Sequence, residues 1–243
     1  MHIRNHRHFK YEDIPESSAS RAFQAELRDA LHQWRANPHE GSELAEPVET
    51  ARDHILGELA ASVVVVEYGS FGSVSGSETE QALRATLREW LDDGRISLAF
   101  RHFPLIDSYP HAWPAAQAIE AADRQGRFWQ MHEALTMKLS HPLAAPRFGG
   151  RGILEIAERV GLDVQLLQHD MERATVAERI FRDFHSGVAS GVNGAPTLYV
   201  QGVRQDVDDA GELHDRLERA LAGDFEALWP PHHEARARRE PGP

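Results

Sequence analysis

Between Ser18 and Asn37 the apolar residues Phe23, Leu27, Ala30, Leu31 and Trp34 recur at a spacing that places them on one face of a helix. Ser17 or Ser18 can cap its start and Asn37-Pro38 ends it, which predicts an amphipathic helix of about five turns. The periodicity then lapses, and Pro38 to Pro47 reads as a polar linker. At Val63–Glu67 the pattern changes kind: four consecutive valines without alternation predict a strand covered on both faces by helices. A loop of small residues follows. The next helix runs from about Ser77 to Asp92, where Ser77-Glu78-Thr79-Glu80 fits an S-x-x-E capping box.

Downstream, Ile96–Phe103 reads as a second strand and residues 111–191 as helical, interrupted by the Pro/Gly-containing stretch Leu143–Gly152. Leu198–Val200 is a third strand, Gln201–Arg204 a tight turn into an edge strand, and Ala210–Leu221 a last helix. Past Trp229-Pro230-Pro231 the composition turns to Arg, Glu and Pro, which predicts a disordered tail. The order β-α-β, helical insert, β-β-α gives an α/β fold with a central mixed sheet flanked by helices and a right-handed first crossover. We divide the chain into an N-terminal arm at 1–50, a domain at 51–223 with its helical insertion at about 108–191, and a tail at 224–243.

Composition narrows the classes. The 243 residues are 41% hydrophobic, in keeping with a packed globular domain. A formal charge of −12 disfavours nucleic acid as a partner, because phosphates are repelled overall. No stretch reaches the ~20 apolar residues of a membrane span, and basic Met1–His8 is followed by no apolar segment. A cytoplasmic protein without membrane association is the expectation. The count of cysteine is zero.

The segment Ser62-Val63-Val64-Val65-Val66-Glu67-Tyr68-Gly69-Ser70-Phe71-Gly72-Ser73-Val74-Ser75-Gly76 and the later Gly191-Val192-Asn193-Gly194-Ala195-Pro196-Thr197 together resemble the active-site frame of DsbA-type proteins of the thioredoxin superfamily. There a V-x-x-V-E-Y-x-D-F strand leads into C-x-x-C, and G-[VT]-P-T supplies a cis-proline. Asp53-His54-Ile55-Leu56-Gly57 before Ala61, Phe100–Leu105, and Gly126–His132 with its G-x-F-W-x-M-H signature extend the likeness over roughly residues 53–222. The resemblance implies a thioredoxin fold with an all-helical insertion, to which this chain adds the N-terminal amphipathic helix. It also implies a cis bond before Pro196. Ser73 and Gly76 stand where the family has its cysteines. Disulfide exchange needs a thiolate, so thiol–disulfide oxidoreductase chemistry is not expected.

What remains is a degenerate site. A helix N-terminus offers unpaired N–H groups and a partial positive charge. Ser73, Val74, Ser75 and Ser77 with Ala195 and Pro196 are therefore the candidate ligand-binding residues, for peptide, protein or a small anion. The same small residues also suffice for a turn with Ser77 as the helix cap. Serine as nucleophile lacks a base in reach and a G-x-S-x-G elbow. No cofactor is expected. The alternative reading is a glutathione-dependent transferase or isomerase like the kappa class, with Ser73 holding the glutathione thiolate; Ser73-Val74-Ser75 matches that class's S-P-x-S loop only loosely. His102, His111 and His132 read as packing residues. Of the 15 histidines, His2, His6, His8, His232 and His233 cluster at the termini, where adventitious metal contact is the reading and no metal site is assigned. The apolar stripe of the first helix needs a cover, either the groove of its own domain or, as favoured here, the same helix of a second copy.

Overall fold

The computed structural model describes residues 18–36, 41–58, 60–71, 78–109, 111–139, 150–207 and 209–229. Among these the elements run α1 (Ser18–Ala36), β1 (His54–Gly57), β2 (Val63–Gly69), α2 (Glu78–Asp92), β3 (Ile96–His102), α3 (Ala112–Asp123), α4 (Phe128–Leu139), α5 (Gly150–Arg159), α6 (Val164–Met171), α7 (Ala174–Ser190), β4 (Thr197–Val200), β5 (Val203–Gln205) and α8 (Ala210–Leu221). The sheet order is β1-β3-β2-β4-β5. Only β2 and β3 are parallel; β1 on β3, β4 on β2 and β5 on β4 are antiparallel.

The valine run explains itself once the sheet is built. Successive strand residues point to opposite faces, so Val63 and Val65 pack with Leu87, Trp90, Leu213 and Leu217 from α2 and α8, while Val66 and Tyr68 pack toward α1, α3 and α7. A strand sandwiched in this way has no polar face to show. The insertion has its own core, in which Ala118 and Ile119 of α3 meet Phe128, Met131 and Leu135 of α4 and Ile153 and Leu154 of α5.

Three sequence expectations need correction. The first concerns α1, whose stripe is covered at home. Leu27 and Leu31 are fully buried, Phe23 lies 5.6 Å from the Phe181 ring, and Trp34 donates from Nε1 to the Val192 carbonyl at 2.7 Å. Burying each leucine is worth roughly 1.5–3 kcal/mol, enough to hold the helix on its own domain. The stripe thus gives no reason for the second chain that was favoured.

The second is the polar linker, which is pinned. Leu44 donates its N–H to Gly202, Arg204 donates its own to Ser42, both at 2.8 Å, and Glu43 bridges to Val203. An edge strand such as β5 leaves main-chain groups open, and this segment satisfies them. Gly191 makes the approach feasible: its φ is +83°, and a Cβ there would sit 2.3 Å from the Gly41 nitrogen.

Thirdly, the tail begins later than expected. Residues 226–228 form a 3₁₀ turn whose Leu228 is fully buried, and Arg216 donates to the carbonyl of Ala227. The remainder, 230–243, lies outside the described residues, as do the terminal histidines His2, His6, His8, His232 and His233. Strand β1 was not anticipated at all. Four residues carry too little periodicity to announce a strand, and its pairing with β3 is what defines it.

Candidate functional site

The frame that the sequence singled out is where β2, α2 and the turn before β4 converge. Ser73, Val74, Ser75, Gly76 and Ser77 lie outside the described residues. Their neighbours are well placed. Phe71 is buried, and the Ser70 hydroxyl accepts the Leu105 N–H at 3.1 Å, tying the end of β2 to the segment after β3. Helix α2 starts at Glu78, directly after the 72–77 segment in sequence. The Ala195–Pro196 bond is cis and Pro196 is exposed. Thr197 turns its hydroxyl back to the Gly194 carbonyl at 2.9 Å, and the Ala195 main chain makes no hydrogen bond to another described residue.

Beneath the proline lies a charged pair that the sequence reading passed over. Glu67 sits mid-sheet opposite Phe100 and Leu198 and is 3% exposed. Its carboxylate is 3.5 Å from Arg84 Nη2 of α2. The pair borders a small cavity of about 70 Å³, closed by Leu83, Leu87, Pro196 and Leu198. A signal for it existed: a carboxylate directly after four valines, in a strand with no wet face, must find a buried partner.

A second polar cluster lies on the other side of the sheet. Arg101 on β3 uses all five N–H donors: two reach Asp53, at 2.9 and 3.1 Å, and the others reach Tyr68 and the carbonyls of Glu46 and Pro47, each at 3.0 Å. Burial would raise the Asp53 carboxyl, but Arg101 and the Glu49 N–H outweigh it and hold the pKa below its ordinary value. Back on the Glu67 face, where His54 and His102 share the side of Phe100, Glu120 of α3 receives His54 at 2.9 Å and His102 at 3.3 Å. Burial opposes charge on His54, yet hydrogen bonds to Asp123 and Glu120 prevail and raise its pKa to about 9. Burial likewise opposes charge on Glu120, and the two imidazoles hold it well below the carboxylate range.

His102 is therefore a packed and bonded core residue. His111 occupies the N-cap position of α3, half-buried, with its pKa lowered by burial. His132 is buried among Phe71, Phe100, Phe128 and Trp129, and burial pushes its pKa well down. The buried Nε2 of His132 has no hydrogen-bond partner. No group of three or more candidate metal ligands occurs among the described residues.

The segment 49–218 matches a family model described as thioredoxin. A thioredoxin-like oxidoreductase from Silicibacter pomeroyi superposes with a TM-score of 0.60 at 27% identity, over 76% of this chain and 98% of that one. α-DsbA1 of Wolbachia pipientis gives 0.62 at 16% identity over 76% of this chain and 98% of its own, a likeness of fold. In sequence the chain is 37% identical, over 162 residues, to a protein of Salinispora arenicola named Na(+)/H(+) antiporter NhaA 1, matching 67% of this chain and 24% of that protein. The chain thus spans about a quarter of that curated relative, and no described helix is long and apolar enough to cross a membrane. With the strand–helix–cis-proline frame, the helical insertion and the match over most of its length, the chain belongs to the thioredoxin family in its DsbA-like form, without a cysteine.

Proposed function

We propose that this protein is a thiol-free binding module, which holds an extended peptide segment or a small anion where the redox proteins of its fold exchange disulfides. The observation that carries the reading is the retained frame without its thiols: Pro196 stays exposed beside an Ala195 main chain that makes no hydrogen bond to another described residue, while the sequence has no cysteine. Free main-chain N–H and C=O groups at a strand end are what an extended peptide pairs with. The first turn of α2 adds donors suited to a carboxylate. Arg84 sits under the same proline, with Glu67 as its counter-charge, so the cavity carries no excess charge of its own.

Insulin reduction separates this reading from residual redox activity. The purified protein should show no rate above buffer, because no residue can form a mixed disulfide. Thermal shift then asks what binds. A folded-state ligand raises the melting temperature in line with RT ln(1 + [L]/Kd). Saturable stabilisation by acidic or extended peptides, abolished in Ala195→Pro, supports the module. Stabilisation by glutathione alone would transfer the site to the glutathione-dependent alternative, and insulin turnover would overturn the proposal.

A further inference from the structure

Across the Glu67–Arg84 pair from Pro196 lies a much larger cleft, with a volume of about 500 Å³. Its floor is the face of β1, β2 and β3, and its walls are α2 and α4. Most of the surface is hydrocarbon from Leu56, Leu87, Leu91, Leu98 and Met137, with the Trp129 indole along one side. That indole is fixed in place, because its N–H donates to the Ile55 carbonyl at 3.2 Å. Met137 stands 71% exposed, a large apolar side chain left uncovered on the cleft wall. Cavities of roughly 300–1,000 Å³ are the size that takes small organic ligands.

The polar groups restrict the ligand's chemistry. Inside, Glu67 and Arg84 compensate each other at 3.5 Å. At the rim, Arg88 meets Glu133 at 3.0 Å and Asp92 at 3.3 Å, so its charge too is matched. No uncompensated charge therefore calls for an ion. His132 is different. It forms part of the cleft wall, is 7% exposed, and its Nε2 is buried without a hydrogen-bond partner. Burial keeps its imidazole neutral, so Nε2 is an unmet donor or an unmet acceptor according to the tautomer. A hydroxyl can serve it in either tautomer, since it both donates and accepts.

We infer that this cleft is a binding site for a neutral, flat, apolar molecule that carries one hydroxyl group, its ring against Trp129 and Met137 and its hydroxyl on His132. Aromatic faces and thioether sulfur both favour a flat ring as the occupant. The site is independent of peptide or anion capture at Pro196, and either can fail without the other.

Calorimetric titration of the full chain with 2-naphthol, naphthalene and 2-naphthoate tests it. Saturable binding of 2-naphthol is expected, with naphthoate at least about tenfold weaker, since a carboxylate finds no free cation and pays for desolvation. His132→Phe should weaken 2-naphthol by about tenfold while leaving naphthalene within about twofold, as expected for one lost hydrogen bond. Met137→Trp, at an exposed position where folding is not at stake, should abolish binding of all three by filling the cleft. Absence of saturable 2-naphthol binding overturns the proposal. So does tighter binding of naphthoate, an equal loss of 2-naphthol and naphthalene in His132→Phe, or unchanged binding in Met137→Trp.

Discussion

The two faces of the sheet handle buried charge in opposite ways. On the face covered by α1 and α7, Arg101 spends every donor on Asp53, Tyr68 and two carbonyls. On the face of α2, Glu67 has Arg84 at 3.5 Å and open space on either side. Arg101 and Asp53 have side chains with no exposure, whereas Arg84 keeps 31% of its own. Saturated groups have one arrangement and serve the fold. Groups that border cavities have valence to spare, and this is what a binding site requires. The histidines differ as well: His54 and His102 bracket the Glu120 carboxylate, although the Nδ1 of His102 has no partner, whereas the buried Nε2 of His132 has none and no carboxylate faces it.

Breaking the saturated side should have the largest effect. Asp53→Asn leaves the Arg101 guanidinium charged and without its counter-ion in the core, and removal of one partner from a buried pair costs about 3–5 kcal/mol. Urea denaturation should show that loss as a lower midpoint at unchanged slope. A loss under about 1 kcal/mol would mean that water enters this cluster as it does the other face, and the comparison would fail.

Titration gives the next effect in size. The folded pKa of His54 is raised to about 9, so its contribution is complete below the unfolded value of ~6.5 and disappears as the pH climbs through 9. Stability should therefore fall by about 1–3 kcal/mol across that window. Glu120→Gln removes one of the two carboxylates at His54 and leaves Asp123, so the alkaline loss should shrink along with part of the stability at neutral pH. A wild-type profile that is flat from pH 6.5 to 9 would show that the bracket is not formed.

Least costly should be Arg84→Gln. Water can enter the cavities beside Glu67 and take over its hydrogen bonds, so the expected change is at most about 1 kcal/mol in the same urea assay. A cost equal to that of Asp53→Asn would erase the difference between the faces and with it the reason for assigning a site to α2.

How far these clusters were legible in the sequence varies with their range. Helices α1, α2 and α8 and strands β2 to β4 follow from local periodicity, caps and turn residues, which act within a few positions. Pro196 and the degenerate loop were visible through short motifs that keep their neighbours in sequence. Glu67 was half legible, as a charge in a strand of valines, but its partner lies 17 positions on and one helical face among several was open to it. Asp53 with Arg101, and His54 with Glu120, were not legible, because their separations of 48 and 66 residues are closed only by the sheet and the insertion.

By itself, then, the sequence determined the class of fold, the order of its elements apart from β1 and the impossibility of thiol chemistry, since each depends on local pattern or on the absence of an atom type. Tertiary structure alone decided what covers the stripe of α1, where the linker at 41–48 goes, and which charged groups are saturated. Those outcomes depend on which surfaces meet. Leu27 and Leu31 have the same pattern whether they face Phe181 and Phe103 or a second chain, and only the assembled sheet brings α7 within their reach. His132, too, reads in sequence as one packing histidine among several. Its unpaired Nε2 becomes visible only when α4 closes over β2 and β3 and no described residue answers it.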